Sequence, residues 1–294
     1  MDQYKTLRFP SVTNGDMSED EERLRRFQGC TFIEYLGCRL KAPQPTVATA
    51  MVFFHRFYTR HSFSIYKPEI LAATCMFLAG KVEEPFCKID DIVSLSMAHL
   101  YTWGKSNEEK AKMSFGWRDA IVRYEIIVLE TLCFDLSVDH PYEPLFDIMR
   151  ELQASESMIQ SAMGFANDSL RLPVCLIHEP KLIAAACVML SYRLHHQQLP
   201  DNKISQLMQL IDKHFVSLQA IIREIMLGYS IPNQFEQYNA TSRQRNSRES
   251  MRERPVSGYS RERHQVYRLN DRSSSRTMEH RGSINRLQTS ALPS

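Results

Sequence analysis

From about residue 20 to residue 229 of this 294-residue chain, apolar positions recur at helical rather than strand spacing. In "SEDEERLRRFQGCTFIEYLGCRL", Leu24, Phe27, Phe32 and Leu36 follow one another at intervals of three to five, behind Ser18 as an N-cap and a first turn of acids. After "KAPQP", the run "TVATAMVFFHRFYTR" reads as a helix opened by Pro45 and Thr46. "KPEILAATCMFLAGKV" follows, with Pro68 near its start and Pro85 beyond its end, then "KIDDIVSLSMAHLY" and the long "SFGWRDAIVRYEIIVLETLCF". The two prolines of "DHPYEP" interrupt the pattern before a second series: "EPLFDIMRELQ", "ESMIQSAMGFANDSL", "EPKLIAAACVMLSYRL", "NKISQLMQLIDKHF" and "LQAIIREIMLGY". Strand character is confined to short pieces such as "LPVCLI".

Five helices, a proline break and five helices suggest a duplication. Setting residues 67–82 against 179–194, an offset of 112, aligns Pro68 with Pro180, Ala72 with Ala184, Ala73 with Ala185, Cys75 with Cys187 and Leu78 with Leu190. The expectation is an all-α protein of two tandem five-helix repeats, each with an alanine-rich third helix at its centre, where small side chains permit close helix approach. The divisions expected are an N-terminal arm (1–20), a first repeat (21–138), a second repeat (139–235) and a tail (236–294).

Composition sharpens this picture in two ways. The seven cysteines are odd in number, form no C-x-x-C pair and fall mostly in apolar stretches, which reads as reduced thiols of an intracellular protein and argues against zinc. The formal charge of +2 hides an asymmetry: residues 241–294 hold twelve arginines and five acids, while the rest of the chain holds 24 bases and 29 acids. The Arg/Ser-rich tail has no apolar period and is expected to be disordered. It reads as a solvated linker with a nuclear-import patch near "RQRNSRESMRERP", or as a weak, salt-dependent contact for RNA. The N-terminal stretch has no apolar segment of the signal-peptide kind, and the longest apolar run, "LIAAACVML", is far short of the ~20 residues that span a bilayer. No membrane partner is expected.

Catalytic signatures are absent: there is no P-loop, dinucleotide fingerprint, H-E-x-x-H or G-x-S-x-G, and "HRFY" lacks the base of a kinase catalytic loop. Neither cofactor nor metal is expected, and the chain does not read as an enzyme. What remains is charge on apolar faces. Glu125 lies within the stripe of Ile121, Val128, Leu129 and Leu132, and Lys81 follows Leu78 at i+3 and Thr74 at i+7. A half-buried charge requires a partner, and the simplest arrangement pairs Lys81 with Glu125. Two readings follow. The pair is an internal salt bridge, or both groups project from a surface where Val82, Leu129, Phe134 and Leu136 form the apolar ground for a partner's backbone.

These same residues carry a resemblance. "FLAGKVEEP", followed some forty residues later by "RYEIIVLETLCFDL", resembles the cyclin box, and "DHPY", "HRFY" and "FANDSL" are similar to the transcriptional cyclins of the T and K group. The likeness covers about residues 5–232. It implies two cyclin-box repeats, a nuclear protein, and a regulatory subunit that binds and activates a cyclin-dependent kinase acting on the RNA polymerase II C-terminal domain in transcription elongation. By the same resemblance Lys81, Val82, Glu83, Glu84, Glu125, Leu129, Phe134 and Leu136 would meet the kinase's regulatory helix. The first helix lacks the M-R-A-I-L patch by which cell-cycle cyclins dock substrates, so that activity is not carried over. The tail's Arg/Ser content is similar to cyclin L of the splicing machinery, and "VATA", "RFY" and "HPY" are shared with cyclin C of Mediator-linked control, so both subclasses stand as alternatives. A TFIIB-like DNA-binding factor also uses two such repeats, but it would carry a C-x-x-C ribbon and a basic core, neither of which is present.

Overall fold

The computed structural model describes residues 9–84, 87–101, 106–199 and 206–231. The tail expected to be disordered lies outside the described residues. Ten α-helices are present among the described residues: α1 (Pro10–Thr13), α2 (Glu19–Leu40), α3 (Gln44–Phe57), α4 (Pro68–Val82), α5 (Ile89–Leu100), α6 (Asn107–Thr131), α7 (Tyr142–Glu151), α8 (Glu156–Ser169), α9 (Pro180–Leu194) and α10 (Gln206–Gly228). No strand occurs among them. None of these helices is long and apolar enough to cross a membrane.

Helix starts follow local chemistry. Ser18 Oγ accepts the Glu21 N–H at 3.2 Å, and α3, α4 and α9 each open with proline in the first two positions. The fifth helix begins earlier than "SFGW", because Ser106 and Glu109 form a reciprocal capping box that supports the extra turns. "LPVCLI" is no strand: Pro173 opens a short 3-10 helix, Pro173–Leu176. The last two expected helices run together as α10, bent at His214, whose φ of −127° and ψ of 26° leave the helical region.

The duplication extends to backbone detail. Both α3 and α8, and both α4 and α9, have boundaries that differ by the same 112 residues. Left-handed residues repeat at that offset too, Lys41 with Gln153 (φ 55° and 49°) and Glu84 with His196 (φ 68° and 53°). Lys41 and Gln153 each end a helix with their own N–H and the following N–H turned back onto the last turn, the cap that glycine usually supplies.

Two apolar clusters form the cores, one drawn chiefly from α2–α6 and one from α7–α10. α2 serves both. Its Phe32 and Leu36 are buried in the first cluster, while Leu24 and Phe27 pack against the second. Close approach of α2 to α3 depends on Gly29, since a Cβ there would lie 2.1 Å from Cζ of the fully buried Phe54. Gly29→Ala is therefore expected to destabilise the protein by about 1–3 kcal/mol through overpacking, measurable as a lowered urea midpoint with unchanged slope.

A buried charge network locks α2 to the end of α3. Arg26, wholly buried, donates from Nε to Glu22 Oε1 at 2.5 Å and from its two other nitrogens to the carbonyls of His55 (3.0 Å) and Tyr58 (2.9 Å). The Phe9 ring lies 4.1 Å from the guanidinium carbon and covers it. His55 in turn reaches the second repeat, its Nε2 donating to Leu170 O at 3.0 Å and its Nδ1 facing Arg26. Other bridges between the repeats are Arg171–Glu34 at 2.6 Å and a polar knot of Gln44, Tyr142 and Asn167. "HRFY", "DHPY" and "FANDSL" thus supply side chains or carbonyls to the joint between the halves.

Candidate partner-binding surface

α4 ends and α6 passes beside it, and the two helices bring Lys81 and Glu125 together. Lys81 Nζ lies 2.6 Å from Glu125 Oε1 and 4.2 Å from the centre of the Phe77 ring. α6 buries Ile121 and Val128 completely, so the intervening Glu125 is held at the margin of the core with its side chain 14% exposed, while that of Lys81 is 40% exposed. An ion pair whose ammonium is open to solvent contributes about 0–1 kcal/mol to folding. Folding alone is a weak reason to hold two charges there.

The turn after Lys81 is anchored from below. Val82 is half-buried against the first core, and Glu83 Oε1 accepts from Thr49 Oγ1 at 2.7 Å. Thr49 has one hydroxyl proton, so the 2.8 Å contact from His140 Nε2 is a donation to Thr49 from the imidazole. Burial holds His140 below the ordinary histidine value, against the opposing pull of the Glu83 and Asp139 carboxylates. Its Nδ1 is buried without a hydrogen-bond partner. Glu84 is exposed at a φ of 68°. Glu83 therefore looks inward, joining the α4 corner to the "DHPY" linker, whereas Lys81 and Glu84 face out. Thr49→Val removes both bonds at a buried site and is expected to cost about 1–3 kcal/mol; Thr49→Ser should stay near the parent in the same denaturation experiment.

α6 ends in a turn that presents the remaining residues. The N–H of Phe134 bonds to Leu129 O and that of Cys133 to Glu130 O, both at 3.0 Å, with Cys133 and Phe134 at φ of 53° and 58°. Two successive non-glycine residues in the left-handed region store about 1–2 kcal/mol each. The strained turn leaves Phe134 67% exposed, while Leu129 and Leu136 are half-buried against the first core. Sequence periodicity missed Val122 and Ile126, which are exposed apolar residues on α6 to either side of Glu125. Their signal was present, since both fall outside the inward stripe of Ile121 and Val128. Phe77, beneath Lys81, was missed because its contact is with another side chain rather than with a pattern. No cluster of three metal-ligating side chains occurs among the described residues.

Residues 3–137 match the model of the cyclin N-terminal domain. This chain carries a cyclin domain. It is similar to cyclin pch1 and to cyclins of the T group. Cyclin pch1 of Schizosaccharomyces pombe is 41% identical over 181 residues, covering 60% of this chain and 52% of that protein. Cyclin-T1-2 of Arabidopsis thaliana is 36% identical over 188 residues, 63% of this chain and 41% of the relative. Human cyclin-T2 is 31% identical over 182 residues, 62% of this chain and 25% of the relative. The chain thus matches about half or less of the length of these relatives. Among solved structures, a chain of the yeast RNA Pol II CTD kinase CTDK-1 complex superposes with a TM-score of 0.61 at 22% identity, covering 72% of this chain and 67% of that one, a likeness of fold. Lys81, Glu125 and the strained turn at Phe134 all lie within the matched cyclin domain.

Proposed function

We propose that this chain is the regulatory cyclin subunit of a cyclin-dependent kinase that phosphorylates the C-terminal domain of RNA polymerase II and promotes transcription elongation in the nucleus. The observation that carries the proposal is the Lys81–Glu125 pair, an exposed ammonium on a partly buried carboxylate, set among exposed or half-exposed apolar groups on a cyclin domain. Both charges can serve backbone groups of a partner helix: an ammonium donates to carbonyls at a helix end and a carboxylate accepts from amides. Val82, Leu129, Phe134 and Leu136 supply the apolar contacts, extended by Val122 and Ile126. The chain contributes no catalytic group. Its contacts favour the active kinase conformation, holding the regulatory helix inward so that the kinase's own glutamate pairs with its phosphate-positioning lysine. The cyclin repeats span 21–138 and 139–235, and 236–294 forms an accessory basic tail.

The similarity to the cyclin T group and to pch1 supports the transcriptional class. Capture of the full chain from nuclear extract, followed by a kinase assay on a polymerase C-terminal-domain peptide, tests the reading. Recovery of activity that phosphorylates the peptide is the expected result. Recovery of the folded chain without any kinase would overturn it.

A further inference from the structure

The constant offset of 112 residues places a counterpart of the Lys81 corner on the second repeat, and its chemistry is inverted. Lys81, Val82, Glu83 and Glu84 correspond to Arg193, Leu194, His195 and His196. The supporting device is the same. Thr49 bonds Glu83 at 2.7 Å, and its counterpart Ser161 bonds His195 Nε2 at 2.9 Å. Ser161 donates its own proton to Ser157 O at 2.9 Å, so the imidazole is the donor to Ser161. The exposed residue after it is again left-handed, Glu84 at φ 68° and His196 at φ 53°.

The differences lie in what each corner offers outward. The outward Glu84 carboxylate beside Lys81 becomes the outward His196 imidazole beside Arg193, and the inward Glu83 becomes the inward His195. Lys81 is neutralised by Glu125, whereas Arg193 is exposed and has no ion-pair partner among the described residues. Val82 is half-buried, whereas Leu194, which follows Arg193 in the chain, is 58% exposed. A cation left unneutralised beside an exposed leucine, on a backbone turn held by a partly buried side-chain bond, matches a ligand with an acid and an apolar group close together.

We infer that the Arg193–Leu194–His196 corner at the end of α9 is a second docking point, and that its occupant is an acidic peptide segment carrying an apolar residue. Arg193 pairs with a carboxylate, Leu194 receives the apolar side chain, and His195 is held from below by Ser161. The chain's own tail is a poor occupant, since its twelve arginines would repel Arg193. This inference rests on the repeat geometry and not on the identity of the kinase.

The test uses the full chain with Leu194 replaced by the photocrosslinker p-benzoylphenylalanine. The probe is a fluorescein-labelled peptide of alternating glutamate and leucine, and the control is the same peptide with glutamine for glutamate. Placing the crosslinker instead at the exposed Ile65, on the first repeat, measures background capture by the basic tail. Crosslinking at position 194 is expected to exceed that at position 65, and to fall about tenfold with the glutamine peptide or with Arg193→Glu added. Equal yields at the two positions, or insensitivity to Arg193→Glu, would overturn the assignment. Crosslinking of one chain to another in the absence of peptide would overturn it too, by giving the corner to self-association.

Discussion

Arg26→Ala is expected to lower folding stability by about 3–5 kcal/mol, the usual cost of breaking a buried ion pair. The substitution strands Glu22 in a site where burial already pushes its carboxyl above the ordinary range. It also leaves the carbonyls of His55 and Tyr58 without their donors and uncovers the Phe9 ring from its cation. Each loss falls where α2 meets the end of α3, so the damage reaches the core rather than a surface patch. Arg26→Lys should recover only part of the loss, because a lysine cannot reach three acceptors in a planar fork. Urea denaturation of the three proteins at pH 7 measures the effect. A midpoint for Arg26→Ala close to the parent would mean that the network is dispensable.

Acid sensitivity is the second large effect. Burial, reinforced by the neighbouring Arg26 guanidinium, holds His55 down at about 3, against an ordinary value of 6.5. The unfolded chain therefore takes up a proton first as pH falls, and each unit of pH between those values favours unfolding by about 1.4 kcal/mol. The contribution of His55 is complete above about pH 6.5 and is drained progressively below it. His61, His99, His140 and His178 are shifted in the same direction by burial and add to the slope. From pH 7 to pH 5 the parent is expected to lose about 2 kcal/mol more stability than His55→Gln, which keeps a donor for Leu170 but cannot charge. Parallel pH profiles for the two proteins would show that His55 does not titrate differently on folding.

Much of the helical architecture was legible because the apolar period and the proline starts are local signals. The duplication could be read from five identities at one offset, and the structure extends it to helix boundaries and left-handed caps. Those caps themselves were hidden. Lys41, Cys133, Gln153 and His196 occupy left-handed positions that glycine would have announced. Arg26 was hidden for a different reason: in "LRRFQG" it looks like one charge of an exposed helix face, and its carbonyl partners lie about thirty residues away. At the candidate surface the Lys81–Glu125 pairing followed from two charges interrupting two apolar faces. The inward turn of Glu83 could not be inferred, since it depends on Thr49 and on a linker histidine brought up by the tertiary fold.

A partner that reads the two charges of the surface does so beyond their attraction for each other. Exchanging them separates these roles. Lys81→Glu and Glu125→Lys are made singly and together, and each protein is assayed for stability and for affinity toward the kinase recovered from nuclear extract. The exchanged double variant is expected to regain the small stability lost in the singles, to within about 0.5 kcal/mol, yet to bind the kinase at least about thirtyfold more weakly than the parent. Restoration of kinase binding together with stability would contradict that expectation, and would make the pair an internal salt bridge and nothing more.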